Sequence, residues 1–283
     1  MTIVVTAPTG QIGRQVVEDL LADGAPVRVV VRDPARLAPG VAERVEVVPG
    51  SHGDPDVAAK AFGGADAVFW LVPPNPSAPS ADEAYSGFVR PVLGALRTAG
   101  RVVAVSALGR GTPVAGRAGF VTAALAMDDL IAATGVPYRA LTAPSFMENT
   151  LRQIDAIREN GVFSGPYLPD NPAPSVATRD IAAVAARLLR DDDWTGYAEV
   201  PVLGPEDLTY DRMATILTEV LGRPVRYQQQ VPGAADTAMG QARIDMALAK
   251  NDGLDHGVVR TPENSTPTTF RDFLLDAVTH NGA

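Results

Sequence analysis

The sequence predicts an α/β fold, a doubly wound parallel sheet accompanied by a smaller α+β C-terminal portion. Three observations carry that prediction. Short β-branched runs alternate with helical apolar spacing from the N-terminus to residue 142. The run Ala67 to Val72 is apolar throughout, as a strand covered on both faces should be. Beyond Leu141 the alternation stops, and glycine and proline crowd residues 161–175.

Taken in order, Ile3 to Thr6 is the first strand. Ile12, Val16, Val17 and Leu20 then take the spacing of one helix face. Asp23-Gly24-Ala25 turns the chain into a second strand, Pro26 to Val31, which ends in Arg32-Asp33-Pro34. Val45 to Val48 is a third strand. Asp54-Pro55 supplies an N-cap and first helical residue for a helix through Phe62, which Gly63-Gly64 closes. After the apolar strand, the proline-rich loop Pro73 to Pro79 precedes a long helix running to Ala99. Arg101 to Ser106 is a strand, residues 121–134 a helix, and Val136 to Leu141 another strand.

The second half reads less regularly. Ala143 to Asn149 is a loop, residues 150–160 are helical, and Ile181 to Leu189 forms an amphipathic helix. Ala198 to Val202 fits an edge strand, where proline is tolerated. Thr209-Tyr210-Asp211 opens a helix, Val225 to Val231 is strand-like, and residues 234–250 and 267–278 are helical.

Composition narrows the function. At 46% hydrophobic and 20% charged residues the chain can bury a large core. A net charge of −9 without a basic cluster opposes nucleic acid and anionic membranes as partners. There is no cysteine, which excludes thiolate catalysis and disulfides, and His52, His256 and His280 show no metal-ligand spacing. No segment has the layout of a signal peptide or the apolar length of a membrane span, so a cytoplasmic protein is expected. Two lysines, Lys60 and Lys250, stand against 22 arginines.

The turn after the first strand, Ala7-Pro8-Thr9-Gly10-Gln11-Ile12-Gly13, carries two glycines three apart at the start of a helix. The free N–H groups and dipole of such a helix end suit a pyrophosphate if no side chain blocks the approach. Ala7 stands where a first glycine is usual, and the same layout also serves a plain strand-to-helix turn.

Together with Val30-Val31-Arg32-Asp33-Pro34-Ala35-Arg36, Ser106-Ala107-Leu108, Thr134 to Arg139, Phe146-Met147-Glu148-Asn149 and Ala177 to Ile181, this turn resembles the NmrA-like atypical short-chain dehydrogenase/reductase family, close to its NADPH:quinone reductase branch. The resemblance implies a Rossmann-type domain from residues 1–142 plus about 176–203, and a substrate-binding portion from 143–175 plus about 204–283. It implies NADP(H) as cofactor, held by Thr6, Ala7, Thr9, Gly10, Gln11, Ile12, Gly13, Arg32, Val72, Pro73 and Ser106. Arg32, where an acidic residue would hold a free ribose hydroxyl, matches a 2′-phosphate, although Asp33 follows directly.

Typical members of the superfamily use Tyr-x-x-x-Lys to pass a proton, and no tyrosine here has a lysine at that spacing. The quinone reductase branch is expected to carry a lysine on the helix before Thr134-Gly135, where this chain has Asp128-Asp129. Lys60 and Lys250 lie too far away in sequence to replace it. Ser106 and Asp129 are the remaining catalytic candidates. An aromatic or quinone-like substrate is expected against Trp70, Pro74, Phe146, Met147, Glu148, Asn149 and Tyr167. Each of these residues also fits a packing or capping role. The expected function is an NADPH-dependent reductase of a quinone or related conjugated molecule, acting as monomer or homodimer. A nucleotide-sensing regulator without turnover, and a dehydratase or cyclase on the same fold, remain open alternatives.

Overall fold

The computed structural model describes residues 1–280. It comprises two compact units, one formed by Met1–Ala107, Ala123–Thr142 and Ile181–Val200, the other by Leu108–Thr122, Ala143–Asp180 and Pro201–Ala283. Residues 108–122 therefore group with the second unit, although the uninterrupted alternation had placed them in the first. Within the second unit their reason is steric: Gly109 lies tight against Leu254, and Gly119, at φ +53°, against the backbone of Ala242.

In chain order the elements are β1 (Ile3–Thr6), α1 (Gln11–Ala22), β2 (Val27–Val31), α2 (Pro39–Ala42), β3 (Glu46–Pro49), α3 (Pro55–Phe62), β4 (Ala67–Trp70), α4 (Ala81–Val89), α5 (Leu93–Leu96), β5 (Val102–Ala107), α6 (Phe120–Ala132) and β6 (Tyr138–Ala143). There follow β7 (Ser145–Phe146), α7 (Ile154–Asn160), β8 (Val162–Gly165), β9 (Ala173–Val176), α8 (Thr178–Arg190), β10 (Tyr197–Pro201), β11 (Asp207–Leu208), α9 (Tyr210–Leu221), β12 (Arg226–Gln229), α10 (Ala238–Asn251) and α11 (Phe270–His280).

The first unit carries a seven-stranded sheet in the order β10-β6-β5-β4-β1-β2-β3. β1 pairs in parallel with both β2 and β4, β2 with β3, and β4 with β5. The strand order reverses at β1, so the crevice beyond the carboxyl ends of β1 and β4 is where a doubly wound sheet takes its ligand. Val4, Val30, Val68, Trp70, Val102 and Tyr138 fill one core under Phe62, Leu96 and Ile131. The second unit has its own core, in which Met147, Phe163, Leu217 and Phe270 meet. Its strands form a three-stranded sheet, β11-β9-β7, and a parallel pair, β12-β8.

Several elements differ from the sequence prediction. The long helix to Ala99 breaks at Arg90–Val92 into α4 and α5, because Pro91 lacks the N–H the helix needs. The strand predicted to run to Val72 leaves the sheet after Trp70. Glycine and proline spacing concealed β8 and β9, and β7 is a two-residue strand inside the predicted loop. The helix at 150–160 begins as a tighter turn over Met147–Gln153 before α7.

Side chains rather than sheet bonds hold the chain where it leaves β4. The Thr6 hydroxyl donates to the Phe69 carbonyl at 3.0 Å and accepts the Leu71 N–H at 3.0 Å. His52 Nε2 lies 3.0 Å from the Leu71 carbonyl, which only accepts, so Nε2 carries the hydrogen. The ring is 5% exposed and meets Trp70 and Phe88 edge to face, each at 5.0 Å. Burial pushes its pKa from 6.5 down to about 4, with the Arg32 charge adding to the shift and the Leu71 bond opposing it. The unfolded chain therefore binds this proton near pH 6.5 and the folded one only near pH 4, so stability falls as pH drops through that window. The gap corresponds to about 3 kcal/mol. Denaturant melts from pH 7 to pH 4 should show a shallower decline for His52→Asn than for the parent protein, on top of a lower stability at pH 7. Parallel declines would refute a neutral buried His52.

Candidate functional site

The glycine turn is built by close approach. After β1, Ala7 takes φ +49°, the left-handed region that favours glycine and that no other non-glycine residue occupies among the described residues. The Gly10 N–H then donates to the Ala7 carbonyl at 3.0 Å, which turns the chain into α1. A side chain on Gly13 would overlap that same carbonyl, whereas one on Gly10 would sit 3.4 Å from it. Gly13 thus sets how closely helix and turn pack, and Gly10 keeps the approach to the helix end open. As N-cap, Gly10 offers no side-chain acceptor, and the first turn of α1 has no acidic residue. The helix end retains N–H groups and dipole for an anion. The residues present fit a pyrophosphate.

Thr9, Gly10, Gln11, Ile12 and Gly13 lie together on this turn beside Ala7. Arg32, Val72, Pro73 and Ser106 stand at the carboxyl ends of β2, β4 and β5, its neighbouring strands. Within that set the side chains of Thr6 and Ile12 are buried, and the Thr6 hydroxyl is committed to the β4 end. Ile12 can therefore contribute only backbone. The Asp33 carboxylate turns back to accept the Ala35 N–H at 3.1 Å and caps the short turn Pro34–Arg36. Arg32, at the end of β2, is exposed and makes no ion pair among the described residues.

Where the proton-relay lysine was expected, the structure has a buried carboxylate. Asp128 of α6 is fully buried, accepts a hydrogen bond from the Ser106 hydroxyl of β5, and accepts another from the Tyr138 hydroxyl of β6 at 2.5 Å. Tyr138 in turn stacks on Tyr197, with centroids 5.5 Å apart. Of the acidic pair on this helix, Asp128 faces inward and Asp129, the expected catalytic member, is exposed. The amphipathic phase of α6 decides this, because Asp128 follows Met127 and Ala124 onto the buried face.

The expected substrate residues divide between the two units. Trp70 is fully buried in the core of the first unit and packs on Phe62, His52 and Phe88, so it is a core residue and not a substrate contact. Pro74 is exposed. In the second unit Met147 is buried in the core, which likewise removes it from the substrate set. Phe146 is half-buried and Asn149 exposed. Glu148 Oε1 accepts from the Thr178 N–H at 2.9 Å and from the Thr178 hydroxyl at 2.6 Å, so this carboxylate anchors the start of α8. Tyr167 stacks on Tyr210 at 4.9 Å, and Tyr227 donates to its carbonyl at 3.0 Å. Lys250, set aside in the sequence as remote, belongs to the same unit as Tyr167, and its charge acts on the Tyr167 hydroxyl. It opposes the rise in the Tyr167 pKa that burial causes and that Asp255 reinforces. Among the described residues no cluster of three or more His, Asp or Glu could hold a metal ion. No helix there is long and apolar enough to cross a membrane.

Residues 8–192 match a family described as NAD(P)H-binding, a span that covers the turn, the Arg32 strand end and the Asp128 helix. The chain belongs to that family. It is an NAD(P)H-dependent oxidoreductase of NmrA-like, Rossmann-type fold. Across 96% of its length it is 34% identical to the (4-alkanoyl-5-oxo-2,5-dihydrofuran-3-yl)methyl phosphate reductase of Streptomyces griseus, of which it covers 95%. It is 30% identical, over 99% of its length and 98% of the relative, to the NAD(P)H azoreductase of Xenophilus azovorans. The NADPH complex of the NADPH-dependent quinone oxidoreductase of Escherichia coli has the same fold, with a TM-score of 0.75, 22% identity and full coverage of both chains.

Two measurements probe the oxidoreductase's cradle. Arg32→Ala should lower NADPH affinity by roughly ten- to a hundred-fold, the worth of a charge-assisted bond, and leave NADH affinity nearly unchanged. Equal affinities of the parent protein for NADPH and NADH would reject the 2′-phosphate role. Gly10→Val should keep the far-ultraviolet circular dichroism and melting behaviour of the parent and lose nucleotide binding, because its Cβ makes only an ordinary contact with the Ala7 carbonyl in the fold and its side chain would meet the phosphates in the complex. Retained binding would place the phosphates elsewhere.

Proposed function

We propose that this oxidoreductase reduces a quinone or a related conjugated acceptor with NADPH, and that no lysine-activated tyrosine on α6 assists the step. The observation that carries the reading is the Asp128 cluster. Ser106 and Tyr138 spend their hydroxyls on a buried carboxylate, on the helix where a cationic side chain would otherwise lower a tyrosine's pKa. A buried carboxylate disfavours a phenolate beside it. The Tyr138 hydroxyl hydrogen is taken up by its bond to Asp128.

NADPH supplies a hydride at its nicotinamide ring when bound. The chain's own contribution is then placement: the α1 end and Arg32 hold the phosphates, and the Thr6 and His52 bonds fix the direction in which Leu71 leads into Val72 and Pro73. An acceptor whose reduced anion is delocalised takes its proton from water. A simple ketone yields a localised alkoxide and depends on a nearby acid. Three relatives bear names that fit this division, one a reductase of an oxo-dihydrofuran, one an azoreductase and one a quinone oxidoreductase. An oxo-dihydrofuran ring, an azo bond and a quinone all spread the charge of the reduced anion.

Steady-state NADPH oxidation with quinones, azo dyes, unsaturated lactones and aliphatic ketones tests the reading. Turnover is expected with conjugated acceptors and little with ketones. Ser106→Ala and Tyr138→Phe should each lose about 1–3 kcal/mol of stability, since each leaves Asp128 one donor short. Single-turnover quinone reduction should change by less than about ten-fold in either variant. A general acid contributes about a hundred- to ten-thousand-fold, so a loss of that size in either variant would contradict the reading. Robust activity on aliphatic ketones would do the same.

A further inference from the structure

Both backbone polar groups of Leu71, the first residue beyond β4, are bound by side chains. Its N–H donates to the Thr6 hydroxyl and its carbonyl accepts from His52 Nε2, each at 3.0 Å. Pro73 and Pro74 follow, and neither has an N–H with which to anchor itself. The course of the chain beyond β4 is therefore set at Leu71, by hydrogen bonds from two side chains.

His52 itself is held from several sides. Its loop opens with the Gly50 N–H donating to the Val31 carbonyl at 2.9 Å, one residue before Arg32. It closes at Asp54, whose carboxylate caps α3 by accepting from the Asp56 and Val57 N–H groups. Between these points Gly53 lies so close to the Phe88 ring that a Cβ there would overlap it. The imidazole meets Trp70 and Phe88 edge to face, the first before the proline-rich loop and the second after it. A ring so confined offers its Nε2–H to one acceptor in one direction.

The sheet order gives that bond a place along the dinucleotide. β2 and β3 lie on one side of β1, and β4 and β5 on the other. With the pyrophosphate at the start of α1 and the adenosine phosphate at Arg32, the adenosine half belongs on the β2 side. The nicotinamide half then belongs on the β4 side, at the exit that Leu71 directs. We propose that His52 is a positioning residue for the nicotinamide half of the dinucleotide, acting through the Leu71 carbonyl on Val72 and Pro73, and that the adenosine half binds without its help. The assignment rests on the nucleotide cradle described above and is independent of the acceptor that is reduced.

Charge and reach separate this role from packing alone. His52 is neutral at pH 7, its pKa lying at about 4, so neutral replacements leave the field at Arg32 as it is. Glutamine carries an amide N–H to about the reach of Nε2, asparagine carries the same group on a shorter stem, and leucine has none. NADPH is titrated into each protein, and so is 2′,5′-ADP, which has the adenosine phosphates and lacks the nicotinamide. The fluorescence lifetime of bound NADPH reports how firmly its nicotinamide ring is held. The parent and all three variants should bind 2′,5′-ADP alike. NADPH should bind roughly ten-fold more weakly to His52→Leu and His52→Asn, with a shortened lifetime, and His52→Gln should recover both. Parent affinity and lifetime in a folded His52→Leu or His52→Asn protein would overturn the role of His52 and leave the cradle standing. So would an equal loss of 2′,5′-ADP and NADPH affinity, or a glutamine variant no better than the asparagine one. A parent protein that does not bind 2′,5′-ADP would instead refute the cradle itself. Should His52→Leu fail to fold, the comparison of His52→Asn with His52→Gln decides.

Discussion

The close approach of Gly13 to the Ala7 carbonyl is the constraint from which the nucleotide cradle follows. Because no Cβ intervenes, the first turn of α1 sits directly on the end of β1 and its N–H groups open onto the crevice where the strand order reverses. The remaining pieces reach that crevice by the parallel pairing of the sheet. Arg32 follows β2, Val72 and Pro73 follow β4, and Ser106 ends β5, all on the carboxyl side of the sheet. Ala7 occupies the left-handed conformation that its place in the turn imposes, at a steric cost that glycine would not incur. Packing of the buried α1 face through Ile12, Val16, Val17 and Leu20 compensates for it.

The Asp128 cluster ties the helix α6 to the sheet at the place where the resemblance to the quinone reductase branch implies a lysine. Two hydroxyls from two adjacent strands converge on one carboxylate, so the helix is fixed to β5 and β6 by polar bonds as well as by Met127 and Ile131. Such a buried acceptor has to be fully satisfied to be tolerated. Rigidity at this point of the first unit comes from one arrangement of three side chains.

Much of this was legible in the sequence, for physical reasons that differ from element to element. The strands of the doubly wound sheet showed because burial on both faces demands unbroken apolar runs, as in Ala67 to Trp70. The glycine turn showed because the close approach of Gly13 to Ala7 requires glycine at a fixed place along the chain. What was hidden depends on contacts between distant segments. Lys250 and Tyr167 stand 83 positions apart in the sequence, and no linear spacing records the effect of one on the other. His52 carried no signal, since its partner is the Leu71 backbone carbonyl, and any residue supplies one. Trp70 and Met147 were misread because an aromatic or thioether side chain looks alike in a core and in a binding site until burial is known. Asp129 was chosen over Asp128 because the rotational phase of α6 shows only once the helix is packed.

The position of β10 in the sheet bears on how the protein is made. This strand, together with most of α8, reaches the first unit only after the chain has run through residues 143–180 of the second. A nascent chain that has emerged from the ribosome as far as β6 therefore has every nucleotide-facing strand of the sheet and still lacks the strand that covers β6. Its last strand presents an open row of backbone donors and acceptors, with Tyr138 missing its stacking partner Tyr197. Until about sixty further residues are synthesised, several seconds at ordinary elongation rates, that edge is open to pairing with another chain. A chain truncated within residues 143–200 lacks β10 and leaves β6 as an unpaired edge, the kind of edge that pairs with other chains.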